Sequence, residues 1–217
     1  MFPAGLETQF FLGGEVTVAE RVAPFAYGGI HIHADGEVDI RDANVGVSWT
    51  PYWSPEFVLR VRPGLSVPTG GLTNSFLFTP LSTSSLDPWL AVDALAGKEW
   101  LFGSALVART PLYEGWDQVR QGPFLRGDVR MSRRFSFGVP WLGLSGVRQA
   151  PSTPVGASPS FAELAMLAGS VFHPHERWSV TVQLRVPVAV TEGAVNAVSG
   201  GVAVRRVVGA REVEDHH

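Results

Sequence analysis

From Trp178 to Val190 the chain alternates with period two. Trp178, Val180, Val182, Leu184, Val186 and Val188 fall on one side of an extended segment, and Ser179, Thr181, Gln183 and Arg185 fall on the other. A strand sorts residues this way because successive side chains of an extended backbone point to opposite faces. The pattern recurs: Phe57, Leu59, Val61 and Leu65 alternate with Glu56, Arg60, Arg62 and Ser66, and Leu125, Val129 and Met131 with Arg126, Asp128, Arg130 and Ser132. Weaker versions cover 6–19, 37–50, 88–96, 100–112, 135–148, 161–172 and 197–208, and helical periodicity is nearly absent. The chain reads as all-β, with about ten strands of about ten residues each. A phase slip near Ala43, where Val38 and Ile40 fall out of step with Val45, Val47 and Trp49, predicts a bulge.

The connections alternate in length. Short ones lie at 52–55, 97–99, 133–134 and 173–177, and longer ones at 20–36, 69–87, 113–122, 149–160 and, more modestly, 191–196. Short turns at one end and long loops at the other are the pattern of an outer-membrane barrel. The expected fold is a single antiparallel up-and-down transmembrane β-barrel over residues 1–209, with about ten strands, twelve or eight being the alternatives. Both termini are expected on the short-turn, periplasmic side, and residues 210–217, ending EDHH, read as a tail carrying part of an expression tag. Trp49, Trp53, Trp100, Phe135 and Trp178 crowd the short-turn end, where an aromatic belt would meet lipid headgroups. A thinner belt including Phe25, Trp89 and Phe124 is expected at the long-loop end. In a soluble barrel the same aromatics would instead form a core layer.

Alternation cannot say which face points outward, but composition can. Only 17% of the residues are charged and Lys98 is the single lysine, whereas a solvated exterior is normally rich in Lys and Glu. The polar face also carries many small residues, including Gly46, Gly64, Gly103, Ala165 and Gly169, which suit a crowded lumen. The oily face is therefore assigned to lipid and the charged face to the interior. That interior receives Glu15, Asp39, Glu56, Asp93, Asp128 and Glu163 together with Arg41, Arg60, Arg62, Arg109, Arg126, Arg130, Arg185 and Arg205. Two roles stay open for them: a structural network of arginine–carboxylate pairs, or a constriction that selects solutes. Pro63 and Pro140, deep within strands, should mark bulges or bends, because a closed barrel has no edge to hide a missing donor.

Other chemistry is thinly represented. His31 and His33 share a face of an extended segment, but no third ligand is near in sequence, and His173 and His175 read as polar turn residues. No zinc motif, catalytic array or phosphate-cradling loop is completed, so no enzymatic activity, metal or cofactor is expected. The net charge of −3 and the scattered basic residues exclude an electrostatic footprint for nucleic acid. The nearly uncharged loop 70–87 carries Phe76, Phe78 and Leu81. These would contact a ligand or lipopolysaccharide, or fold inward as a plug, unless the loop is merely exposed.

The segment 62–70, RPGLSVPTG, resembles the strand-then-PTG element of small outer-membrane transporters of the MetA-pathway-of-phenol-degradation family. The resemblance implies a β-barrel admitting aromatic or hydrophobic compounds. The last strand, GGVAVRRVVG, departs from the outer-membrane pattern by lacking a terminal aromatic. The expected function is a channel or passive uptake protein for small solutes in the bacterial outer membrane, with lipid or lipopolysaccharide and a small-molecule solute as partners. The alternatives are a closed structural or adhesive barrel and a soluble lipocalin-like binder.

Overall fold

The computed structural model describes residues 8–32, 38–67, 86–112, 120, 122–153, 160–175, 178–191 and 198–206. Eleven strands form one sheet: β1 (Thr8–Glu15), β2 (Val22–Ile32), β3 (Val38–Trp53), β4 (Phe57–Val67), β5 (Asp87–Ala96), β6 (Trp100–Arg109), β7 (Phe124–Arg133), β8 (Val139–Gln149), β9 (Phe161–His175), β10 (Trp178–Val190) and β11 (Ser199–Arg206). Their order in the sheet is their order in the chain, and each adjacent pair is antiparallel. The all-β, up-and-down reading of the sequence holds.

The eleven strands among the described residues agree with the expected count of about ten. The extra strand is β2, which lies within the supposed long loop 20–36. Its inward residues Ala23, Phe25 and Tyr27 are as apolar as its outward ones, so polarity does not separate its two faces, while Pro24 and Gly28-Gly29 resemble turn punctuation. One consequence is topological. With eleven strands described, β1 and β11 run in the same direction, so β1 starts at the long-loop end and β11 finishes at the short-turn end, whereas an even count would place these two strand ends on one side. Among the described residues no ladder joins β1 to β11.

The bulge expected near Ala43 is present, since Asp42 and Ala43 stand opposite Gly28 alone where the β2–β3 register shifts. The prolines behave differently from expectation. Pro63 sits in register with Leu90, and its missing donor coincides with a gap in the β3–β4 ladder between Gly46↔Gly64 and Trp49↔Val61. Pro140 lies just beyond the last β7–β8 pair, Ser132↔Trp141. Both avoid an unmade ladder bond without a register shift.

The sheet is strongly curved. Phe25 on β2 and Trp89 on β5 have ring centroids 5.7 Å apart, although β3 and β4 lie between them. Three strand spacings in a flat sheet would be about 14 Å. Room for these rings comes from glycines directly opposite them in register: Gly46 faces Phe25, Gly64 faces Trp89 and Gly169 faces Trp141, and a Cβ on Gly169 would come within 2.5 Å of the Trp141 ring. Phe25 and Trp89 therefore belong to the concave side and not to an outer belt at the long-loop end. The convex side carries the oily alternation, with Phe102 57% exposed and Leu106, Val129, Leu142, Met166, Val182 and Leu184 also exposed.

Candidate functional site: the arginine–carboxylate interior

Strand β5 organises the concave face. Its inward residues are Asp87, Trp89, Ala91, Asp93 and Leu95, paired in register with Ser66, Gly64, Arg62, Arg60 and Val58 of β4. Asp87 is fully buried, and its Oδ2 accepts a 2.7 Å hydrogen bond from Arg109 Nε and a second bond from Arg109 Nη2. Arg109 is only 3% exposed. Around this pair lie the buried Asp42, Asn44, Ser66, Trp89, Gln149 and Phe161. Phe124 and Gln149 follow Arg109 along the ladder, and Phe161 follows Gln149. A buried, unpaired carboxylate would be prohibitive, so two donors from one guanidinium are what make this position tenable.

Farther down the same face, Asp93 receives Arg62 Nη2 at 2.7 Å and lies 3.7 Å from Arg60 Nε. This cluster is partly open, with the Arg60 side chain 41% exposed. On β7, Arg126 Nε donates to Asp128 at 3.0 Å, two residues along the same strand face. Arg185 on β10 donates to Glu163 on β9, both buried. Arg130 stands opposite Gly103 and Gly143, which leave space beside it, and forms no ion pair among the described residues. Several buried polar atoms, including Asn44 Oδ1, Trp89 Nε1, Arg60 Nε, Arg62 Nε and Ser145 Oγ, have no hydrogen-bond partner among the described residues.

The structure thus brings together Arg60, Arg62, Arg109, Arg126, Arg130, Arg185, Asp93, Asp128 and Glu163. It does not bring in Glu56, which precedes β4 in a short turn and forms an exposed 2.6 Å pair with Lys98. The alternation that placed Glu56 inside had been carried one residue past the strand. Glu15 stands opposite the inward-facing Phe25 in register but is exposed at the end of β1, with no ion pair among the described residues. Asp39 and Arg41 lie in β3 opposite His31 and Gly29, and Arg205 lies in β11 opposite Ser179, but their side chains are outside the described set. Phe76, Phe78 and Leu81, the PTG element and His33 fall outside the described residues, and His173 is exposed at the end of β9. Sequence reading missed Asp87 by assigning it to the preceding loop, although it continues the period-two series of Trp89, Ala91 and Asp93.

Trp49, Trp53, Trp100, Phe135 and Trp178 are all exposed near the short turns. Phe135 stacks on Phe137 with centroids 5.3 Å apart. Among the described residues no group of three or more His, Cys, Asp or Glu could hold a metal ion. The sequence matches no protein-family model, and no curated protein is similar enough to lend it a function.

Proposed function

We propose that this protein is an outer-membrane β-barrel and passive uptake channel for small solutes, its bore narrowed by arginine–carboxylate pairs. The observation that carries the proposal is the inverted polarity of the wall. Large apolar side chains cover the convex face, while Asp87, Arg109, Glu163 and Arg185 are buried on the concave one. In water each such apolar side chain would forgo about 1.5–3 kcal/mol of burial, whereas hydrocarbon accepts it. An eleven-residue strand such as β4 extends about 36 Å and, tilted by about 40°, crosses about 28 Å, close to the thickness of a bilayer core. Closure belongs to the proposal, because lipid offers no partner to free strand edges. With eleven strands the closing pair, β1 and β11, is parallel; odd-numbered barrels are known.

The resemblance of RPGLSVPTG to phenol-degradation transporters favours hydrophobic or aromatic solutes. A barrel without transport is the second reading, favoured by the dry packing around Asp87 and Arg109. Planar-bilayer recording separates the two. Transport predicts ion currents from protein that shows heat-modifiable electrophoretic mobility, with currents altered by Arg126→Ala. Correctly inserted but silent protein supports the closed barrel. A chain that stays monodisperse without detergent overturns both.

A further inference from the structure

The convex wall carries an open apolar groove of about 710 Å³ running across β4 to β9. It is lined by the small residues Ala94, Ala96 and Ser104 and by the large Phe102, Met131 and Leu142. Clefts of this size hold a ligand of some tens of atoms, and this one offers almost nothing but carbon. At its short-turn end it meets a charge. Phe102↔Met131 and Trp100↔Arg133 are neighbouring outward pairs of the β6–β7 ladder, so Arg133 stands one step beyond the groove. The Arg133 guanidinium lies 5.3 Å from the ring centroids of both Trp100 and Phe135. It forms no ion pair among the described residues, whereas nearby Lys98 is neutralised by Glu56.

We propose that the groove and Arg133 form a site for one glycerophospholipid, with an acyl chain along Phe102, Met131 and Ser104 and the phosphodiester on Arg133. The inference rests on the membrane reading above. A guanidinium matches two phosphate oxygens through paired donors, and the flanking rings hold it at the depth where headgroups lie. Charge complementarity at Arg133 selects a phospholipid over a neutral hydrophobe, since the groove itself is mostly apolar and Arg130, whose register turns it to the concave face, is the one charged residue of its lining.

The test is to reconstitute the protein in bilayers of phosphatidylethanolamine and phosphatidylglycerol, extract it with detergent, and measure retained lipid by native mass spectrometry. Wild type should keep one phospholipid per barrel. Arg133→Ala, which removes the phosphate contact, and Ser104→Trp, which fills the groove, should each lower occupancy at least tenfold while keeping heat-modifiable mobility. Inserted wild type retaining no lipid, or either variant retaining as much as wild type, overturns this site and leaves the membrane reading intact. Failure of the wild type to insert overturns both.

Discussion

Asp87 and Asp93 lie six residues apart on the same face of β5, each held by arginine, yet they live in different surroundings. Asp87 and Arg109 are dry, enclosed by Trp89, Phe161 and a lattice of small polar side chains. Asp93 shares Arg60 and Arg62 in a space that water reaches. Over about 20 Å of strand, one concave face changes from tightly packed to partly open. The difference lies in the partners: Trp89 and the rings around Arg109 exclude solvent, while Ala91, Ala105 and Gly103 leave room near Asp93. Ion pairing alone therefore does not fix how dry a site is; the apolar bulk beside the pair does.

Breaking the dry pair should have the largest effect. Asp87→Ala leaves the Arg109 guanidinium buried without its carboxylate, so urea unfolding should show a loss of about 3–5 kcal/mol. A loss below about 1 kcal/mol would mean that water already reaches this position. Filling space at the boundary comes next. Gly64→Ala pushes a methyl group into the Trp89 ring and should cost about 1–3 kcal/mol, and near-UV circular dichroism should report the displaced indole. The wet cluster should respond least in stability. Arg62→Ala should cost about 0.2–1 kcal/mol, as expected for partly exposed pairs, yet shift the cation-to-anion permeability ratio. A large stability loss with unchanged selectivity would erase the distinction between the two sites.

How much of this was visible beforehand follows from the same physics. Strands β4, β7 and β10 were legible because their two faces differ in polarity, so alternation reported the secondary structure and which residues share a face, while the scarcity of lysine chose the facing. Strand β2 was not, because Phe25 and Tyr27 make its inward face aromatic. The period-two spacing of Trp89 from Asp93 puts it on the inward face, but its close packing depends on Gly64 of the neighbouring strand, which periodicity does not report. The ion-pair membership of Arg60, Arg62, Arg126 and Arg185 could be anticipated from their common face. Their partners could not be, because Arg185–Glu163 and Arg109–Asp87 reach diagonally across the ladder and depend on register.

The central claim is that apolar side chains look outward into hydrocarbon while the ionised ones are enclosed. Single-tryptophan proteins in bilayers with brominated acyl chains test it directly, because bromine quenches only indoles it can approach. Trp100, on the convex face, should be strongly quenched, whereas Trp89, stacked over Gly64 beside Asp87, should not. Quenching of Trp89 with Trp100 unaffected, or a protein that does not associate with the bilayer at all, would contradict the account.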